Sequence, residues 1–308
     1  MRVFLTGATG YLGAVLAEDF SRVPEIESIT GVDVVPPRRP LPEKVRFVAM
    51  DVRSPEVSSA MRGHDVVVHT AFIVLWYSKM PATERDSINL GGTQNVAEAA
   101  VANRVRRFVH AGSTAAYDMN MARGRSDGTE DFPLGKGDSS SYYANSKAAA
   151  ERILTEVITP TGTTLTILRP TFIMGPRNTS TVEGLREFTF KPLGHRHARV
   201  QYVHEEDVAT AFTQAALSDM PEAYNVVPDD HLPFSEVQKI VGVKPTATIP
   251  VWLARLMMYF NWKYSGSQLH PSWLDLMFVD YTASNAKLKA TGWKPNYTTA
   301  EALKSALS

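Results

Sequence analysis

The chain has 308 residues, enough to bury roughly three quarters of its unfolded surface in one large domain or two fused ones. Lys plus Arg and Asp plus Glu are 32 each, so the formal net charge is zero and no global positive field draws nucleic acid or an anionic membrane. The absence of cysteine excludes disulfides, thiolate metal sites, iron–sulfur clusters and cysteine nucleophiles. The first strand candidate, Arg2–Leu5, is too short and too weakly charged at its start for a signal peptide. Further short β-branched runs follow at Ser28–Val32, Val45–Ala49, Val66–His69, Arg107–Ala111, Leu165–Leu168 and Tyr224–Val226. Helical patterns lie between them at Tyr11–Ser21, Val57–Met61, Thr83–Ala102, Tyr142–Val157 and Asp207–Leu217. This alternation predicts an α/β fold, a doubly wound parallel sheet with helices on both faces. The expected division is a dinucleotide-binding domain over 1–175, with returning elements near 203–227, and a smaller mixed substrate lobe from 176–202 and 228–308. The longest apolar runs fall well short of the roughly 20 residues that span a bilayer. A cytoplasmic protein with no membrane or nucleic-acid partner is expected.

Gly7, Gly10 and Gly13 follow the first strand directly and open a helix, with Thr9, Tyr11 and Leu12 between them. Glycine allows a tight turn and close backbone approach, and the helix N-terminus offers N–H groups to a pyrophosphate. Asp33 ends the second strand 20 residues beyond Gly13, where a carboxylate bonds ribose hydroxyls and repels a 2′-phosphate. NAD is therefore expected over NADP, unless Arg38 and Arg39 fold back onto a phosphate rather than staying solvated. Asp51 and Val52 end the third strand and flank the adenine, or Asp51 merely caps a helix.

Tyr143 and Lys147 stand four apart on one helix, so ring and ammonium can converge. Bringing a tyrosine from pKa about 10 to pH 7 takes roughly 4 kcal/mol of phenolate stabilisation, which a lysine and an oxidised nicotinamide could supply. Ser113 and Thr114 follow the strand Arg107–Ala111. They sit where open α/β sheets bind ligands, and Ser113 can share a substrate proton with Tyr143 or simply cap a turn.

In order along the chain, these pieces resemble the extended short-chain dehydrogenases/reductases of the NAD-dependent epimerase/dehydratase superfamily. The likeness continues through Asn89-Leu90-Gly91-Gly92-Thr93, Leu168-Arg169-Pro170, Gly175-Pro176, Tyr202 to Asp207, and Gly292-Trp293-Lys294-Pro295. It implies a Ser113–Tyr143–Lys147 triad with Tyr143 as general acid/base. It implies contacts to the dinucleotide from Thr70, Ala71, Phe72, Asn89, Ala111, Lys147, Pro170, Thr171 and Ile173. It also implies a homodimer through Thr83–Ala102 and Tyr142–Val157, although these Ala-rich faces could equally pack on the sheet. His204 and Asp207 match a feature joining the lobes, with Asp207 as a helix cap. Asn89 competes with Thr93 and Asn95 for a proton-relay role.

The substrate is a small molecule in every reading. Nucleotide-sugar members of the family place an Asn where this chain has Phe172, and an Arg where it has Val200, beside Arg199. Two polar grips on a diphosphate are thus apolar, and an unpartnered buried diphosphate is costly. Ser113, Thr114, Phe172 and Arg199 are the candidate substrate contacts. The expected activity is hydride transfer between NAD and a secondary alcohol or ketone. The alternatives are a nucleotide-sugar 4-epimerase or dehydratase holding NAD tightly, and a non-enzymatic dinucleotide sensor. Thr114 stands where dehydratases carry an acid, and intact Tyr143 and Lys147 speak against a sensor. The aromatic cluster Trp252 to Phe278 reads as core or as a pocket lining. His195 and His197 lack a third ligand, so no metal is expected. The long segment Asp118–Ser141 is a site cover or a surface loop.

Overall fold

The computed structural model describes residues 1–74, 80–118, 127–137, 141–194, 198–265, 267 and 270–308. Thirteen strands are described: β1 Arg2–Thr6, β2 Ser28–Asp33, β3 Val45–Ala49, β4 Val66–His69, β5 Arg107–Ala111, β6 Thr164–Pro170, β7 Phe172–Met174, β8 Phe190–Pro192, β9 Arg199–Val200, β10 Tyr202–His204, β11 Glu222–Val226, β12 Leu232–Pro233 and β13 Ala247–Ile249. The helices are α1 Tyr11–Arg22, α2 Glu56–Ala60, α3 Ala82–Asp86, α4 Gly92–Ala102, α5 Tyr142–Ile158, α6 Thr179–Arg186, α7 Glu205–Leu217, α8 Phe234–Ile240, α9 Val251–Tyr264, α10 Ala286–Lys289 and α11 Thr299–Ser305.

The seven strand candidates of the sequence form one sheet, in the order β3-β2-β1-β4-β5-β6-β11. Every pairing is parallel. Strands such as Val66-Val67-Val68-His69 are buried throughout, as covered faces demand. One face packs on α1 and α7 through Leu16, Phe20, Phe212 and Ala215. The other packs through Val96, Ala100, Leu154 and Ile158 of α4 and α5. The strand order reverses between β1 and β4, and the crevice at such a switch point is where open sheets bind ligands. A third apolar cluster, built on Phe188, Tyr202, Phe234 and Met258, lies under the later half of the chain.

Two expectations are corrected. The single helix over Thr83–Ala102 is α3 and α4 joined by a π-helical turn over Ser87–Gly91. The wider turn carries Asn89 inward, where its amide grips both backbone groups of Ile73 at 2.7 and 3.0 Å. Asp207 is not the cap of α7; His204 is, with Nδ1 accepting from the Glu206 amide. Asp207 lies within the first turn and is fully buried. It accepts from the amides of Asn296 and Tyr297 at 2.8 and 3.1 Å.

Candidate functional site

The glycine turn is built for close approach. Gly7 has φ +71°, and a Cβ there would stand 2.6 Å from the Ala71 nitrogen. A Cβ at Gly13 would stand 2.0 Å from the Gly7 carbonyl. The N-terminus of α1 is capped by Gly10 with no side-chain bond, so its amides and the positive end of its dipole face the crevice. Asp33 is set at the end of β2 by the amides of Thr9, at 3.1 Å, and Val35, at 3.2 Å. The Thr9 hydroxyl bonds the Val35 carbonyl, so Thr9 frames the loop that presents Asp33. A cradle that any side chain would fill, an open helix N-terminus and a carboxylate beyond it fit a dinucleotide. Arg38 and Arg39 are exposed. Asp51 is gripped by Arg53 at 2.6 Å, and these contacts hold its carboxyl below the usual range. Val52 is buried, and its carbonyl accepts from Asn95.

From this turn a cleft of ≈ 440 Å³ runs along the carboxyl ends of β1, β4, β5 and β6. It is lined by Gly7, Gly10, Tyr11, Leu12, Gly13, Thr70, Phe72, Ala111, Pro170, Thr171 and Ile173 from the expected cofactor set. Ser113, Tyr143, Lys147 and Phe172 line it too. Thr9, Asp33, Asp51, Val52, Ala71 and Asn89 stand outside its lining, and so do Thr114 and Arg199. The Ala71 backbone abuts Gly7, and Asn89 holds the segment after β4 in place. Asn95 and Thr93, its competitors for a relay, are engaged elsewhere: Asn95 with Val52 and Ser54, Thr93 with His69.

The triad candidates converge at one end of this cleft. The Ser113 hydroxyl faces the Tyr143 phenol and accepts from the Ala115 amide. Lys147 donates to the Ala111 carbonyl at 2.7 Å and lies 3.7 Å from the centre of the Phe72 ring. Burial pushes its ammonium down to about 7, against the opposing charge of Glu151. Lys147 by itself does not lower Tyr143, whose expected lowering calls on an oxidised nicotinamide as well. Burial raises the phenol above its ordinary value, with only the Ser113 hydroxyl pulling the other way. The low dielectric of the cleft disfavours phenolate and ammonium alike, so the phenol is held as a proton donor.

Behind the triad lies a buried polar brace. Arg169 meets Glu151 at 2.7 Å and donates to the Tyr117 hydroxyl at 2.9 Å. Tyr117 in turn donates to Asn225. Glu151 is on α5, one turn beyond Lys147, so this brace fixes the helix that carries Tyr143 and Lys147. Two buried histidines stack under the cleft, His69 on His110, with ring centres 5.5 Å apart. His69 bonds Thr6 and Thr93, and burial depresses both imidazoles, His69 to about 3.

The far wall of the cleft was only partly legible. Phe172 packs against Trp273 and Tyr281 with ring centres 5.4 and 5.5 Å apart. Tyr281 bonds Thr114 at 3.1 Å and lies beside Ser113 in the cleft lining, which places a second phenol beside the triad. Tyr281 and Asn178 line the cleft beside Trp273, the one described member of the aromatic cluster expected as core or pocket that does so, and these two escaped sequence reasoning. They come from short irregular stretches with no periodicity to mark them. Glu205 escaped as well; it accepts from the Tyr11 hydroxyl at 2.7 Å and ties α7 to α1. Val200 is fully buried, and Arg199 is locked on Asp280 at 2.8 Å. The aromatic cluster is neither all core nor all pocket: Trp252, Leu256, Met257, Tyr259, Phe260 and Tyr264 are exposed. The metal reading of His195 and His197 lies outside the described residues, and so do parts of Asp118–Ser141. The described stretch 127–137 bonds the 282–284 segment at Gly128 and bridges Tyr117 at Leu134.

Comparison with known proteins agrees with this geometry. The NAD dependent epimerase/dehydratase family matches residues 3–226. L-arabinose 1-dehydrogenase (NAD(P)(+)) of Haloferax volcanii is 28% identical over 262 residues, covering 79% of this chain and 96% of the relative. A 3 beta-hydroxysteroid dehydrogenase/Delta 5-->4-isomerase of Mycobacterium tuberculosis is 23% identical, covering 98% of this chain and 88% of the relative. Among solved structures, the UDP-glucose 4-epimerase of Thermus thermophilus in complex with NAD superposes with a TM-score of 0.74 at 24% identity, over 100% of this chain and 98% of the other.

Proposed function

The chain belongs to the NAD-dependent epimerase/dehydratase family and uses NAD, and from that premise we propose that it is an oxidoreductase interconverting a secondary alcohol and a ketone on an apolar body. The observation that carries this reading is the end of the cleft. Three hydroxyls, of Ser113, Tyr143 and Tyr281, converge there against an aromatic wall of Phe172 and Trp273. Bound NAD supplies the hydride acceptor or, reduced, the donor. Gly7 to Gly13 hold its pyrophosphate by backbone amides, and Asp33 takes the adenosine ribose hydroxyls, which favours NAD over NADP. Lys147, held on the Ala111 carbonyl beside Phe72, orients the nicotinamide ribose. Ser113 positions the substrate oxygen, and Tyr143 exchanges the proton with it. Because burial keeps the phenol protonated, ketone reduction is the direction for which the free protein is poised.

Phe172 and Val200 leave a nucleotide diphosphate without the two polar grips it requires, and Arg199 is committed to Asp280. Residues 176–202 and 228–308 form the substrate lobe in this reading. The active species is a homodimer in the cytoplasm through α4 and α5, which sedimentation velocity checks.

The test is a panel of ketones with NADH and of secondary alcohols with NAD. Turnover is expected, and Tyr143→Phe lowers kcat/KM by about a thousandfold while NAD affinity stays within a factor of about two. The same triad serves a nucleotide-sugar 4-epimerase. No turnover of any ketone or alcohol, together with retained NAD and thermal stabilisation by UDP-glucose or dTDP-glucose, would replace this reading with that one.

A further inference from the structure

Helix α9, Val251–Tyr264, is amphipathic the wrong way round. Its Ala254 and Met258 are buried in the lobe's core. Trp252, Leu256, Tyr259, Phe260 and Lys263 follow at spacings of three and four, so they share the opposite face. Trp252 is 67% exposed and Phe260 50%. Of the nine large hydrophobic side chains exposed among the described residues, six lie on this one helix. Concentration of that kind marks a surface that is covered in use.

The charge around the face says by what. From Val237 to Leu274 the chain carries Lys239, Lys244, Arg255 and Lys263 and neither Asp nor Glu. That is a local excess of positive charge in a chain whose net charge is zero, with Glu236 pairing Lys239 at one edge and Glu187 meeting Ser267 at the other. Lys263 lies among the aromatic rings, its ammonium 5.3 Å from the centres of Tyr259 and Tyr264. A symmetric contact between two copies would bring Arg255 and Lys263 of both copies into one apolar interface, and burying like charges there is costly. A bilayer surface suits both parts: Trp and Phe enter the acyl boundary, Tyr lies at headgroup depth, and Lys and Arg reach anionic headgroups.

We propose that α9 docks the protein on an anionic phospholipid surface, lying in the interface plane without crossing it. The expectation of no membrane partner rests on the lack of a spanning segment and on net charge, and neither bears on an interfacial helix. The helix lies close to the cleft. Trp262 packs edge-on against His270 at 4.8 Å, and Ser272 and Trp273 just beyond line the cleft wall.

The experiment is co-sedimentation of the full chain with vesicles of about three parts phosphatidylcholine to one part phosphatidylglycerol, and with pure phosphatidylcholine. Expected is binding to the mixed vesicles that falls about tenfold on the neutral ones and in the double variant Trp252→Ser/Phe260→Ser. Lys263→Glu, a single exposed change, weakens binding to the anionic vesicles and leaves the thermal shift by NAD intact, which separates docking from folding. The proposal is overturned if the chain stays in the supernatant, if it binds both vesicles equally, or if the variants bind like the parent. It is equally overturned if sedimentation velocity shows a dimer that Trp252→Ser/Phe260→Ser dissolves, since a second copy then covers the face.

Discussion

Tyr143 and Lys147 show how little a residue's identity says about its charge. Both stand out in the sequence through a pattern of two residues four apart, and that pattern has no access to burial. In place, desolvation outweighs every neighbouring charge: the phenol is pushed up and the ammonium down to about 7. Arg169 carries the same lesson. It belongs to the Leu-Arg-Pro stretch that marks the family resemblance, and its work is to neutralise Glu151 beneath α5. Arg169→Leu leaves that carboxylate buried and unpaired, for a loss of about 3–5 kcal/mol. Urea unfolding should show it as a lower midpoint. The stacked histidines set the acid limit. His69 and His110 stay neutral in the folded chain, with His69 near 3, whereas in the unfolded chain they protonate below about 6.5. The unfolded state therefore binds more protons as pH falls from about 6.5, and stability falls with it. His110→Leu removes one such proton, so the slope of stability against pH between about 6 and 4 should flatten by up to about 1.4 kcal/mol per unit. An unchanged slope in urea unfolding at several pH values would show that His110 titrates normally.

At the scale of elements, β1, the glycine turn and α1 act as one device. Gly13 returns the helix so closely over the turn that a Cβ would stand 2.0 Å from the Gly7 carbonyl. Gly13→Ala should cost about 1–3 kcal/mol of stability and weaken NAD binding by at least about tenfold, read by calorimetric titration. Normal affinity in that variant would mean that the turn can open without consequence. The break between α3 and α4 is the counter-example. Periodicity sees one long helix over Thr83–Ala102, because a single extra residue in one turn hardly disturbs an Ala-rich pattern. The structure spends that residue on turning Asn89 inward to grip Ile73.

The whole molecule is joined by long-range polar contacts around Asp207. Its carboxylate takes the amides of Asn296 and Tyr297, its carbonyl takes the Trp293 indole, and His204 stacks on Tyr297 at 3.7 Å. Asp207→Ala removes the acceptor of two partly buried amides and should cost about 1–3 kcal/mol. Hydrogen exchange at residues 293–297 should quicken before the sheet is affected. Equal protection in parent and variant would show that packing alone holds this segment.

Seven strands, their parallel pairing and the glycine turn were legible in the chain. β-Branched runs, apolar through their length, can only be central strands, and glycines at fixed offsets after a strand serve one kind of turn. The positions of Ser113, Tyr143 and Lys147 were legible too, because Ser113 follows β5 and Tyr143 and Lys147 lie one turn apart near the start of α5, and both ends face the crevice. Local pattern named Phe172 and the cluster holding Trp273 but could not show that they meet Tyr281 in one wall. Phe172, Trp273 and Tyr281 are drawn from stretches more than 100 residues apart and meet only when the later lobe closes on the sheet. Neither could it show which apolar residues stay outside, since α9 has the same aromatic spacing whichever face it buries. Proton affinities, ion-pair partners and the exposure of α9 depend on what surrounds each group, and that is settled by packing.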